Sequence, residues 1–258
     1  MNGTLLKLTL RDIRSALSFR TFLIWIAMAG MAVFFFFTSA GRTELVNENK
    51  VEFMTLFLPQ IIFGAWAVLS VYFDLVSSDR EHNVLDCILC SGITKKQIFT
   101  AKTLTTAVVS LILSFIYLLP ITAVIVLLSE LSNAMLLVRY LLPLWGYIMV
   151  FAAMGVIISV LARSSKAALI WSLAVGLILM PRFFMIIVEG LGSAFHWSHG
   201  VIDGVSMIAP GVLMNALSDF ENTTNLLNGI IGFSSGVLIL FTISYLVFCR
   251  QDEYNYGE

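Results

Sequence analysis

Six long apolar runs divide the sequence, and they constrain its fold more than any other feature. Hydrophobic residues make up 59% of the chain and charged residues only 12%, whereas soluble domains carry about 25% charged residues. Each run reaches the roughly 20 residues that a helix needs to cross a bilayer. Because backbone polar groups in lipid must be paired within the protein, we predict an all-α integral membrane protein with six transmembrane helices in one domain, residues 1–258. The runs are residues 21–40, 53–73, 104–128, 141–161, 167–188 and 227–248.

The distribution of Lys and Arg predicts the orientation of these spans. An even number of spans places both termini on the same side of the membrane. Of the 15 basic residues, eleven fall on that side, and the other side holds only Arg42, Lys50, Arg139 and Arg182. Because basic residues in short loops stay in the cytoplasm, the termini and the loop 74–102 are predicted to be cytoplasmic. The net charge of −1 leaves no basic surface of the kind that binds nucleic acid.

Residues 1–20 are predicted to form an amphipathic interfacial helix before the first span. Leu5, Leu8 and Leu17 lie near one face of a helix, with Lys7 and Arg11 elsewhere. This pattern is typical of a helix that lies in the membrane surface. The alternative is a plain basic flank that only sets the topology. The first span has an apolar core too long for a cleaved signal peptide, so we interpret it as an uncleaved anchor.

The segment 189–225, between the fifth and sixth spans, is predicted to form short re-entrant or interfacial helices on the outer side. Pro210 and Gly211 divide its semi-apolar run 201–217 into halves too short to span. Such backbone is tolerated at membrane depth where protein covers it. The fifth span is interrupted as well, because Pro181 and Arg182 come about 14 residues, or roughly 21 Å, after its start. Arg182 is predicted either to extend to the surface or to face a polar cavity.

The loop 74–102 is charged and lies between two apolar runs. Read as a helix, residues 83–89 place Val84, Cys87 and Ile88 on one side. A break follows at Ser91 and Gly92, and a second amphipathic turn follows the break. We therefore predict a short helix at the membrane surface, on which a partner from outside the membrane docks.

Gly232 and Gly236 belong to a motif with two interpretations. Residues 232–236 match the G-x-S-x-G hydrolase elbow, which requires a strand, a sharp turn and a helix. They lie inside the sixth apolar run, where G-x-x-x-G allows two helices to approach closely. We therefore predict helix packing for Gly232 and Gly236, and we identify no catalytic residue.

Cysteine and histidine are too sparse to favour a metal or cofactor site. Cys87 and Cys90 form one C-x-x-C pair, whereas a structural zinc site needs a second pair or suitably spaced histidines. We predict that this pair packs the short helix, with redox or metal chemistry as the alternative. His196, His199 and Asp203 have a helical spacing that suits a metal, but an ordinary interfacial loop is favoured. The sequence lacks a G-x-x-x-x-G-K-[ST] phosphate loop, so another subunit would have to bind any ATP.

The loop 74–102 and the order of the spans resemble the six-helix ABC-2 type permeases, the membrane subunits of ATP-binding-cassette transporters. In that family the loop between the second and third spans reads as an acidic residue with Arg-Glu, then Thr-Leu-acidic, Leu-Leu, a small residue with Pro, and closing basic residues. Val84 and Gly92 stand where the family usually has Thr and Pro. The matching residues here are Asp79-Arg80-Glu81, Leu85-Asp86, Ile88-Leu89, Ser91, Lys95, Lys96 and Lys102.

The resemblance extends over nearly the whole chain and implies a working unit. It implies that the region 79–102 is a coupling helix on a cytoplasmic ABC ATPase, and that two ATPases act with two permease copies or paralogues. ATP and Mg²⁺ would be bound on the ATPase, so this chain itself is not expected to be an enzyme. The implied function is export of an amphipathic, peptide or lipid-like substrate across a bacterial cell membrane. The residues it assigns to ATPase coupling are Asp79, Arg80, Glu81, Leu85, Leu89, Lys95, Lys96 and Lys102.

Three other functions are consistent with a polytopic membrane protein. A membrane-embedded enzyme would need clustered His, Asp, Glu or Cys in the spans, which offer almost none. An ion-driven carrier or channel would need charges in mid-membrane, and these are nearly absent as well. A membrane anchor that recruits a cytoplasmic ATPase without moving cargo needs neither. The anchor and the ion-driven carrier are the two alternatives to a transporter.

Overall fold

The computed structural model describes residues 3–38, 53–128, 140–206 and 223–250, which are helical apart from short turns. Pro210, Arg42, Lys50 and Arg139 lie outside the described residues, as do the side chains of Arg182 and Asp203. In chain order the helices of the described ranges are α1 (Gly3–Ala16), α2 (Phe19–Thr38), α3 (Phe53–Tyr72), α4 (Ser77–Glu81), α5 (Val84–Cys90), α6 (Lys95–Leu128), α7 (Leu141–Leu161), α8 (Ser165–Ile178), α9 (Pro181–Ala194), α10 (His199–Ser206) and α11 (Thr223–Arg250).

Five helical stretches of the described residues are long and apolar enough to cross a membrane. They comprise all or most of α2, α3, α6, α7 and α11, which confirms helices at the first four predicted spans and at the sixth. The stretch that includes most of α3 continues through a turn to Glu81. The helix of the third predicted span, α6, begins at Lys95 rather than at residue 104 and has 34 residues. It is therefore about 50 Å long, which exceeds the roughly 30 Å thickness of the hydrocarbon core.

The predicted fifth span, residues 167–188, is not one straight helix. It consists of α8 and α9, whose axes are bent by 73°. With 14 residues, α8 is about 21 Å long and too short to cross the core alone. The break has a local cause, because Pro181 has no backbone N–H to continue the helix. The residue before it, Met180, adopts ψ 134°, the extended conformation that a following proline favours.

The core is built around α7, which packs against α3, α6, α8 and α11. A Cβ on Gly155 would lie 2.9 Å from the Cβ of Tyr72 in α3. Real Cβ atoms essentially never approach below 3.0 Å, so the contact between α7 and α3 requires glycine at this position.

The predicted close approach through Gly232 and Gly236 is not made within the described chain. Gly232 is exposed, and a Cβ on Gly236 would meet no described atom within 4 Å. The helix α11 instead packs through larger side chains, including Phe233, whose ring lies 3.2 Å from the Cβ position of Gly146. Close approach among the described helices instead involves Gly64 of α3 against Tyr147, Gly146 and Gly155 of α7, and Gly176 of α8 against Trp66.

The predicted amphipathic helix at the amino terminus is α1. Leu8 and Ala16 of α1 are buried in the core, and α1 packs along α6. The chain turns into α2 at Ser18, whose Oγ accepts a hydrogen bond from the Thr21 amide at 3.3 Å, as a helix N-cap does. This packing places α1 beside the loop that precedes α6.

Candidate functional site at the charged end of the bundle

One end of the bundle carries α1, α4, α5 and the first turns of α6, and it is called the charged end here. Its centre is an ion cluster of Arg11, Asp12, Asp79 and Lys102. The Lys102 ammonium, 2% exposed, lies 2.5 Å from Asp79 Oδ2 and 2.9 Å from Asp12 Oδ2. Arg11 Nη2 lies 2.6 Å from Asp12 Oδ1 and 2.8 Å from Asp79 Oδ2. Two cations and two carboxylates thereby join α1, α4 and α6.

The ion cluster is buried unevenly. The Asp12 side chain is 3% exposed, that of Asp79 14% and that of Arg11 41%. Burial by itself lowers the pKa of Arg11, but hydrogen bonds to Asp12 and Asp79 and the charges of both carboxylates outweigh it and raise that pKa above its ordinary value. Buried charges are tolerated when they are paired and hydrogen-bonded. Loss of any one of the four groups therefore leaves an unbalanced charge in the cluster and should destabilise this arrangement of helices.

The two residues after Asp79 contact two further helices. Arg80 Nη1 donates hydrogen bonds to the carbonyl oxygens of Val160 and Ala162, both at 3.1 Å. These carbonyls lie at the end of α7, where the last C=O groups have no partner within the helix. Glu81 Oε2 accepts a hydrogen bond from the Ser165 amide at 2.9 Å, at the start of α8. The negative charge of Glu81 is also attracted to the partial positive charge at the N-terminus of that helix.

The helix α5 projects from the charged end. Leu85 is buried, and Ile88 and Leu89 are half-buried against the core. The opposite side exposes Asp86, Cys87 and Cys90 to solvent. The bundle thus holds α5 by one face and leaves the other face open.

The predicted break after α5 is confirmed at Ser91 and Gly92. Gly92 has φ +82°, a left-handed conformation that glycine adopts without steric cost. The next helix begins with a capping box: the Thr94 amide donates to Gln97 Oε1 at 3.0 Å, and the Gln97 amide donates to Thr94 Oγ1 at 3.3 Å. Only a short turn therefore separates α5 from the long helix α6.

Residues 60–253 match the model of a protein family described as ABC-2 family transporter protein. The match covers well over half of the chain and includes α4, α5 and every helix after them. The chain belongs to the ABC-2 transporter family. No curated protein matches it. Membership identifies the chain as a permease component of an ABC transporter, a membrane component that typically has no catalytic role and associates with an ABC ATPase.

Within this ABC-2 permease, the residues predicted to contact the ATPase occupy different positions. Asp79 and Lys102 point inward, into the ion cluster. Arg80 and Glu81 contact the ends of α7 and α8. Of the other residues predicted to contact the ATPase, Leu85 is buried, Leu89 and Lys95 are half-buried, and Lys96 is exposed.

The sequence interpretation missed Arg11 and Asp12 as partners of this loop. A signal was present, because Asp12 is four residues from both Leu8 and Ala16 and so lies on the apolar face of α1. An acidic residue on a buried helical face needs a cationic partner, and Lys102 is that partner.

Two smaller predictions concern Cys and His. Cys87 and Cys90 do not pack α5 against the bundle, because both thiols are free and exposed. They lie on the outward side, since Leu85 and its neighbours fill the inward side. His196 and His199 are exposed, and the described residues contain no group of three or more His, Cys, Asp or Glu that could hold a metal ion.

Proposed function

We propose that this permease is the membrane subunit of an ATP-driven exporter and that α5 docks on a separate cytoplasmic ATPase. The observation that carries this proposal is the position of α5. It is held from inside by Leu85 and presents Asp86, Cys87 and Cys90 to solvent. A short helix with one face buried and the other open suits a soluble partner with a groove.

Movement of the docked helix would reach the spans through the charged residues directly before α5. Asp79 contacts Lys102 of α6 at 2.5 Å, Arg80 contacts the end of α7 and Glu81 contacts the start of α8. A displacement of α4 and α5 would therefore reach three helices of the bundle at once, α6, α7 and α8. The turn at Gly92 gives α5 a second, direct connection to α6.

The interior of the spans supports an amphipathic, peptide or lipid-like cargo. Among the described residues, the buried charged side chains are Asp12 and Lys102 of the charged end, and the other buried polar side chains are hydroxyls and the amide of Gln60. An ion-driven carrier usually has charged residues along its pathway, so ATP bound by another subunit is the favoured energy source. Export, a bacterial cell membrane and a unit of two permeases with two ATPases follow from the family resemblance, and cytoplasmic termini follow from the distribution of Lys and Arg.

Co-purification from the host in mild detergent tests the docking surface. The double variant Asp86→Arg with Cys90→Arg places two bulky cations on the open face of α5, and we expect it to lose the ATPase. Thr100→Arg adds the same side chain at an exposed position of α6 and is expected to retain it. If both variants recover as much ATPase as wild type, α5 is not the docking helix.

The link to α8 is tested by transport rather than by binding. Glu81→Ala removes the acceptor for the Ser165 amide but leaves the open face of α5 intact. We expect this variant to bind the ATPase and to lose most ATP-dependent movement of cargo into inverted vesicles. If the wild type binds the ATPase but moves no cargo, the membrane anchor is favoured. If no ATPase co-purifies with the wild type, an ion-driven carrier is favoured.

A further inference from the structure

A cavity of about 220 Å³ lies at the charged end. Its walls are formed by α1, the end of α3, α4 and Lys102 of α6. A water molecule occupies about 30 Å³ of liquid, so the cavity has room for a small polar group rather than for one or two waters. Its lining combines two kinds of surface. Arg11, Ser15 and Ser78 are polar, whereas Ala16, Val71 and Leu75 are apolar.

Asp74 gives this cavity an unbalanced negative charge. Its half-buried carboxylate lines the cavity, and Lys102 and Arg20 act on it through space. Among the described residues it forms no ion pair, because the cations of the ion cluster contact Asp12 and Asp79. Three carboxylates and two cations therefore line the cavity, which favours a ligand with a positively charged group.

Hydrogen-bonding positions are also open in the lining. Arg11 uses Nε and Nη2 for the ion cluster, whereas Nη1 donates to no described residue. Asp12 Oδ2 is buried and lies at ion-pair distance from Lys102, but it accepts no well-aligned hydrogen bond among the described residues. An anionic acceptor on a ligand would satisfy Arg11 Nη1, and an N–H donor on the same ligand could bind the half-buried carboxylate of Asp74.

We propose that this cavity binds the zwitterionic headgroup of an aminophospholipid, with the primary ammonium on Asp74 and the phosphate on Arg11 Nη1. The apolar part of the lining suits the glycerol end of a lipid better than a free soluble zwitterion. The cavity also borders α1, an amphipathic helix of the type that lies at headgroup level. The inference does not depend on the proposed transport function.

The test uses the full chain in nanodiscs of phosphatidylcholine with a minor fraction of phosphatidylethanolamine, and native mass spectrometry of the lipids that remain bound. We expect wild type to retain phosphatidylethanolamine preferentially, because trimethylammonium cannot donate a hydrogen bond. Asp74→Asn should reduce this preference about tenfold, as loss of one charge-assisted hydrogen bond does. Asp86→Asn, which removes an exposed carboxylate outside the cavity, should leave it unchanged.

A second variant keeps the inference testable if Asp74→Asn fails to fold. Ser15→Phe fills the cavity from an exposed position and should abolish the preference as well. Equal retention of both lipids by wild type, or an undiminished preference in both cavity variants, would overturn the inference. Displacement of the lipid by millimolar soluble phosphoethanolamine would assign the cavity to the free zwitterion and overturn the lipid as its occupant.

Discussion

Replacing Lys102 with Met is expected to destabilise the protein strongly, because the ion cluster then has one cation for two carboxylates. The ammonium is 2% exposed and contacts Asp79 at 2.5 Å and Asp12 at 2.9 Å. Removing one partner of a buried ion pair typically costs 3–5 kcal/mol. Arg11 still contacts both carboxylates and is 41% exposed, so solvent screens part of the charge that is left. We therefore expect a loss of about 3 kcal/mol in the free energy of unfolding.

The matched variants separate the charge from the side chain itself. Lys96→Met makes the same substitution at an exposed lysine of α6 and should change stability by about 0.5 kcal/mol or less. The double variant Lys102→Met with Asp12→Leu removes one charge of each sign and leaves Arg11 paired with Asp79 at 2.8 Å. Replacing a buried ion pair by apolar groups is often neutral, so the double variant should recover most of the lost stability.

The assay is reversible unfolding of the purified chain in mixed micelles, followed by circular dichroism or by tryptophan fluorescence. Two results would refute the reasoning. One is a Lys102→Met variant as stable as Lys96→Met, and the other is a double variant no more stable than the single one. In the second case neutralisation of Asp12 would not be the main role of the ammonium, and its contact with Asp79 would account for the loss.

Three further outcomes follow from the packing and the exposed surface. Gly155→Ala should lower the free energy of unfolding by about 1–3 kcal/mol in the same assay, because the added Cβ would lie 2.9 Å from Tyr72 Cβ. Gly236→Ala is the control, because its Cβ enters open space and should leave stability unchanged. Equal costs for the two variants would show that the bundle adjusts at α7. Both thiols of α5 should react with a water-soluble maleimide several times faster than the half-buried Cys249, and slower labelling of α5 in the complex with the ATPase would agree with docking there. Ser164→Ala should cost about 1 kcal/mol, because Ser164 Oγ accepts the Ala167 amide at the start of α8; Ser164→Asn keeps a capping acceptor and should unfold like wild type.

Local features of the sequence were sufficient to predict where five of the six apolar helices lie. A run of about 20 apolar residues must be helical in lipid whatever its neighbours are, which is why α2, α3, α6, α7 and α11 lie at predicted spans. Pro181 and Gly92 act through their own backbone geometry. The interruptions of the fifth span and of the charged loop were therefore predictable, although the 73° bend between α8 and α9 was not.

What the charged residues contact depends on tertiary structure. Asp79 and Glu81 have the same charge and are two residues apart, yet one lies in a buried cluster and the other caps α8. Their partners are 23 and 84 residues away in the chain, beyond any helical periodicity. The same holds for Gly155, which is required because α3 packs against it, and for Gly236, which no described helix approaches.

The sequence by itself determined the membrane class, the positions of five apolar helices and the presence of a short helix before α6, because each depends on hydropathy and backbone preference within one segment. Only the tertiary structure decided which charges are internal and which face of α5 is open. It also placed Arg11 of α1 beside Asp79 of α4, and Asp12 of α1 beside Lys102 of α6. The physical reason is that a charge in an apolar bundle is stable only beside its counter-charge, and packing rather than sequence distance brings the two together.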